Sequence, residues 1–156
     1  MKIAIEAQRI FRLNKHGMDF VALETIRELQ KRNDGNHYFV IVAPGEDHCL
    51  KESANLSIVE LKCPSYPLWE QIALPKTVKR LGVDLLHCTS NTAPLRCPVP
   101  LVLTLHDIIY LEPRQYRTPS LYQEMGWHYR RLVVPHILKV CKKIITVSQF
   151  ECNRIR

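Results

Sequence analysis

Glycine is scarce, five in 156 residues, and the closely spaced glycines of phosphate-binding loops are missing: neither GxGxxG nor GxxxxGKS/T occurs. That excludes a dinucleotide fingerprint and a Walker loop, and with them an ordinary dehydrogenase or kinase. The six cysteines, Cys49, Cys63, Cys88, Cys97, Cys141 and Cys152, include no CxxC pair. Structural zinc sites use such close pairs and disulfide frameworks belong to short secreted chains, so reduced, mostly buried thiols and no metal are expected. No apolar run approaches the roughly 20 residues that cross a bilayer. Met1-Lys2 leads straight into Ile3-Ala4-Ile5 rather than into a signal peptide, so a cytoplasmic location is expected.

What is present fits a domain with its own core. Apolar residues are 46% and charged residues 24%, a balance that indicates neither disorder nor a fibrous repeat. Lys and Arg number 22 against 15 Asp and Glu, a formal charge of +7 that favours partners carrying phosphate. No nucleic-acid-binding motif or interleaved surface aromatics accompany that charge, and a nucleic-acid partner is not expected.

Strand-like apolar runs occupy residues 2–7, 38–43, 56–61, 83–88, 100–105 and 143–147. Between them, residues 19–31 place Phe20, Leu23, Ile26 and Leu29 at helical spacing, with Glu24, Arg27, Glu28 and Lys31 left for water. Residues 69–81 predict a second helix, interrupted at Pro75 and closed by Gly82, and residues 120–140 a third, kinked by Pro135. Ser148 caps a further helix over residues 150–156, which opens without a stop signal; the chain is expected to be one domain of something larger. Strands that are apolar throughout and separated by helices predict a mainly parallel sheet covered on both faces, a Rossmann-like three-layer α/β sandwich over residues 1–156.

In such a sheet ligands bind beyond the carboxyl ends of the strands. Four polar segments follow strands and fall on that edge: residues 8–17, with Arg9, Arg12, Lys15 and His16 before Gly17; residues 89–96, with Asn91; His106-Asp107; and Ser148-Gln149. Cations before a helix start suit a phosphate. His106 can offer one ring nitrogen to a hydroxyl or a leaving group. Each has a structural reading as well: Asp107 as a loop cap, Asn91 as turn chemistry, Ser148 as an N-cap and Gly17 as backbone geometry.

Gly17 opening the first helix, Asp84-Leu85-Leu86-His87-Cys88-Thr89-Ser90-Asn91, Leu103-Thr104-Leu105-His106-Asp107-Ile108 and Ile145-Thr146-Val147-Ser148-Gln149-Phe150 together resemble the N-terminal half of a GT-B glycosyltransferase. The likeness is to the retaining group that includes many mannosyltransferases, family four. It spans nearly the whole chain and rests on the order and spacing of the segments. The resemblance implies transfer of a sugar, mannose being the commonest in such a group, from a GDP- or UDP-sugar donor to a glycan or lipid-linked acceptor. It implies no cofactor and no required metal, the nucleotide-sugar being a substrate. It implies a C-terminal partner domain holding most of the donor site, so that this domain alone is inactive. His106 matches the histidine after the fifth strand and Gly17 the glycine loop near the donor phosphates, while Asn91, Asp107 and Ser148 are candidate substrate-binding residues from their place at the same sheet edge. Where a second glycine and then an arginine are common, this chain has Asp19 and Phe20, which places a carboxylate near the expected diphosphate.

Residues 129–143 carry Arg130, Arg131, Lys139, Lys142 and Lys143 around Leu132, Val133, Val134, Ile137 and Leu138. This segment reads either as a core helix with a solvated basic face or as a peripheral contact with the inner face of a membrane. Two further readings of the chain stay open: a non-catalytic binding or regulatory subunit of this fold, and another GT-B sugar-nucleotide enzyme such as an epimerase.

Overall fold

The computed structural model describes residues 1–112 and 120–155. Arg156, the last residue of the helix expected over 150–156, lies outside the described residues.

Six strands, β1 (Lys2–Glu6), β2 (His37–Val42), β3 (Leu56–Glu60), β4 (Leu85–Cys88), β5 (Leu101–Thr104) and β6 (Lys143–Ile145), form one sheet in the order β3-β2-β1-β4-β5-β6. Every pairing is parallel. The expected strands are all present, each shortened at an end where the chain turns out of the sheet. Order reverses between β1 and β4, which makes the gap at their carboxyl ends the topological switch point.

Alternation along the strands divides the core into two layers. On one face Ile5, Val40, Val42 and Leu56 pack against Ala22, Leu23 and Ile26 of helix α1 (Gly17–Gln30). On the other, Ala4, Ile41, Leu86, Leu101 and Leu103 pack against Trp69, Leu74 and Val78 and against Val133, Val134 and Ile137 of helix α4 (Leu121–Val140). This is the expected helix–sheet–helix sandwich.

Some expectations change in detail. Phe20 is 53% exposed, and the buried stripe of α1 begins instead at Asp19. The buried stripe runs at regular helical spacing through Asp19, Ala22, Leu23 and Ile26, which leaves Phe20 on the solvent side, and the Asp19 carboxylate accepts the His16 N–H at 2.7 Å. Only Cys88 of the six unpaired cysteines is fully buried; the other five are half-buried.

The second helical region is longer than predicted. It comprises α2 (Tyr66–Leu68), a π turn (Trp69–Ala73) and α3 (Leu74–Leu81). In the π turn the Leu74 N–H reaches back to the Trp69 carbonyl, so the chain widens before Pro75, whose ring would otherwise strike the carbonyl of Gln71. Gly82 ends α3 at φ 59°, the left-handed cap its sequence suggested. Trp69 is anchored by its indole N–H to the Leu61 carbonyl at 2.8 Å.

Helix α4 runs through Pro135 as one element. Val133, Val134 and Ile137 are consumed in covering the sheet, which accounts for much of the apolar content of residues 129–143, while Leu132 and Val140 remain exposed. Among the described residues no helix is long and apolar enough to cross a membrane.

Candidate functional site

Because every strand is parallel, the segments after β1, β4, β5 and β6 leave the same edge of the sheet. Direct hydrogen bonds draw three of them together. Thr89, just past β4, donates its N–H to the Glu6 carboxylate at 3.2 Å and its hydroxyl to the Glu6 carbonyl at 2.8 Å. The Thr89 carbonyl accepts from His106 Nε2 at 2.9 Å, and Asn91 Oδ1 accepts the His106 N–H at 2.6 Å.

A carbonyl can only accept, so Nε2 carries the proton, and in the neutral ring Nδ1 is an acceptor. Nδ1 has no hydrogen bond within the described chain, and His106 is half-buried. The free nitrogen is therefore suited to receive a hydroxyl; it donates to an anion only when the ring takes up a second proton.

Asn91 is 3% exposed and sits at φ 66°, a left-handed conformation that Asn tolerates better than most residues. Its N–H donates to the Thr104 carbonyl at 3.2 Å, so the residue staples the loop after β4 to β5 on both sides. Asp107 Oδ1 accepts the Ile109 N–H at 3.3 Å and supports the short 3-10 turn Ile109–Leu111.

Ser148 caps α5 (Gln149–Ile155) by accepting the Glu151 N–H at 3.1 Å, and among the described residues no hydrogen bond joins it to the His106 group. Gly17, the first residue of α1, has an ordinary negative φ, and a Cβ added there would meet nothing within 4 Å. Backbone geometry does not require glycine at this position.

The cations of the first loop are engaged. Asp19, with a side chain only 2% exposed, takes Arg12 in a close ion pair and has Arg9 Nε at 3.9 Å. Lys15 pairs with Asp47 and donates to the Arg12 carbonyl at 3.0 Å. What the sequence offered as a cationic loop is thus a set of internal pairs beside the first amides of α1. Gly45 holds this loop from behind, since a Cβ there would lie 2.2 Å from the Phe11 carbonyl oxygen.

Sequence reasoning missed the acidic residues at the switch point. Glu6 is 1% exposed at the end of β1, and its carboxylate accepts the Gln8 N–H at 3.0 Å as well as that of Thr89. Glu70, in the π turn and also 1% exposed, accepts from Tyr66 at 2.7 Å, Thr92 at 2.5 Å, Gln71 at 3.0 Å and the hydroxyl of Tyr129 on α4. Burial pushes both carboxyls up; proximity to Glu70 adds to the rise at Glu6. The Tyr66 and Tyr129 hydroxyls are raised by the same burial and by Glu70. Among the described residues neither acid forms an ion pair, and no group of three His, Cys, Asp or Glu side chains is placed to hold a metal ion.

The available signals were an acid closing an otherwise apolar strand at Glu6 and a Tyr–Glu pair at i, i+4 in Tyr66 and Glu70. Both also occur in solvated positions, which is why they did not stand out.

Compared with family models, residues 16–156 match Glycosyltransferase Family 4. The chain belongs to that family. The match runs from the start of α1 to the end of the chain and takes in every segment on which the resemblance rested. Enzymes of such a family act on nucleotide-sugar donors and acceptor substrates. No curated protein matches significantly. Among solved structures the oxidoreductase ylbE from Lactococcus lactis superposes at TM-score 0.48 with 14% identity, over 94% of this chain and 68% of that one.

Proposed function

We propose that this glycosyltransferase domain is the acceptor-side half of a retaining enzyme that moves a hexose, mannose in the first instance, from a GDP- or UDP-sugar to a glycan or lipid-linked acceptor. The observation that carries the reading is the joining of the end of β1 and the loops after β4 and β5 around His106, with one ring nitrogen fixed and the other uncommitted. In the reaction the bond from the anomeric carbon to the diphosphate breaks and a bond to the acceptor oxygen forms on the same face. The acceptor proton passes to the departing diphosphate. Positive charge grows on the sugar ring and negative charge on the leaving group, so fixed dipoles at the cleft lower the barrier. His106 receives a sugar or acceptor hydroxyl and orients it.

Gly17 fits the same reading. With open space where a side chain would be and leading amides that no helical carbonyl can reach, it leaves room for a donor phosphate to approach α1. Asp107 and Ser148 border the cleft from neighbouring loops. A C-terminal domain supplies the rest of the donor site, the chain alone is inactive, no metal is required, and the protein works in the cytoplasm.

The test is donor hydrolysis and transfer across GDP- and UDP-sugars, comparing this chain with a protein that joins it to its donor-binding half. Turnover only in the longer protein supports the reading, with His106→Ala lowering kcat roughly a hundredfold at unchanged thermal stability. Wild-type turnover in that variant refutes the role of His106. Asp19 favours a second reading, because it already takes Arg12 in an ion pair and draws on Arg9: a non-catalytic subunit of this fold, which becomes the leading one if the longer protein neither binds nor turns over any sugar nucleotide.

A further inference from the structure

Among the described residues Glu6 has no ion-pair partner; it stands at the centre of the switch point and gives its carboxylate to two backbone amides. Holding an unpaired buried acid is unfavourable unless its hydrogen bonds do something the fold or the site needs. What they hold is Thr89. Its N–H, its hydroxyl and its carbonyl are all engaged, the first two by Glu6 and the third by His106 Nε2. The loop after β4 is thereby clamped to β1, and the ring of His106 is clamped to the loop. Asn91 closes the arrangement from the backbone side of His106.

We propose that Glu6 is a positioning residue for His106: through Thr89 it fixes which ring nitrogen carries the proton and where the other one stands. The inference deepens the reading of His106 given above and rests on it for its catalytic meaning, but not for its geometry. It also explains a glutamate at the end of β1, where an apolar residue would pack more cheaply. Thr89 alone does not suffice, because its N–H would otherwise face the end of β1 without a partner.

Glu6→Gln separates the roles. The amide oxygen keeps the shorter and sequence-local bond to the Gln8 N–H, and its NH2 then faces the Thr89 N–H, donor against donor. In the 156-residue chain labelled with 15N, the His106 Nε2–H proton is protected by the Thr89 carbonyl. It is expected as a resolved imidazole N–H signal at neutral pH, and to be lost to solvent exchange in Glu6→Gln while the melting transition stays cooperative. Should Glu6→Gln not fold, Glu6→Asp, one methylene shorter and so drawn back from the Thr89 N–H, decides: loss of the same signal supports the proposal.

Persistence of the signal with wild-type exchange in a folded Glu6→Gln, or in Glu6→Asp if that is the folded variant, overturns it. So does its absence from the wild-type chain. In the longer protein Glu6→Gln is expected to lower kcat roughly ten- to a hundredfold with little change in donor KM. If the longer protein transfers no sugar, the glycosyltransferase reading fails while the imidazole signal still judges the positioning.

Discussion

Replacing Gly45 by alanine tests how the first loop is held at the sheet edge. The added Cβ would lie 2.2 Å from the Phe11 carbonyl oxygen, 2.6 Å from its carbon and 2.9 Å from the Phe11 Cβ. Ordinary contact requires that these atoms move apart by more than about 1 Å. Phe11 cannot yield easily, because its ring is 1% exposed in the core and its carbonyl already accepts the Asp47 N–H at 2.9 Å. Overpacking of this kind costs about 1–3 kcal/mol. For a domain of this size that lowers Tm by roughly 2–12 °C. The strain also has a direction: it pushes on Phe11, next to Arg12, so the Arg12–Asp19 pair and the start of α1 should lose hydrogen-exchange protection before the rest of the sheet does. Calorimetry gives the first quantity and exchange the second. Gly17→Ala is the matched control, since its Cβ meets nothing and Tm should hold within about 1–2 °C. A Gly45→Ala protein as stable as wild type, with unchanged exchange at residues 11–19, would refute the argument.

Other substitutions probe the buried polar groups. Burial takes His87 from the ordinary 6.5 down to about 4, so the folded state keeps it neutral where the unfolded chain would take up a proton. The stability this represents is complete above pH 6.5 and is lost as pH falls toward 4, amounting to about 3 kcal/mol. His87→Gln does not titrate, and the difference in unfolding free energy between wild type and variant should shrink over that window; a difference independent of pH counts against it. Glu70→Ala strands four buried donors from Tyr66, Thr92, Gln71 and Tyr129, some of which can re-pair. A loss of about 3–5 kcal/mol is expected in denaturant unfolding, and a loss under about 1 kcal/mol would mean that Glu70 is not the hub of the cluster.

Much of this architecture is legible in the sequence because its signals are local and additive. The runs that become β2 and β4 are apolar at every position that the sheet buries, β1 departs from this only at Glu6, and Gly82 stands where only a left-handed cap lets α3 stop. The carboxyl-edge position of His106 follows from strand direction alone. What was not legible depends on which helical stripe the fold selects and on partners distant in sequence. Phe20 carries the same periodic signal as Leu23, yet the buried stripe runs through Asp19, Ala22, Leu23 and Ile26 and leaves it in solvent. Glu6 and Glu70 look like ordinary strand-end and helix acids until Thr89, Thr92 and Tyr129 arrive from elsewhere in the chain to surround them. A π turn leaves no periodic trace, and Pro75 marks only its exit.

The position of β1 at the centre of the sheet also sets the pace at which the protein can be made. Its partner β4 lies far down the chain: Lys2 and Asp84 join across 82 residues. At a synthesis rate of about 5–20 residues per second, the edge of β1 that meets β4 waits roughly 4–16 s on the ribosome with its amides unmatched. β2 can shelter the opposite edge much sooner. For those seconds the nascent chain carries one exposed apolar strand edge, and the loop closure that ends the wait is a long-range event of the kind that slows folding. The same crossover that creates the switch point leaves its floor open until β4 emerges.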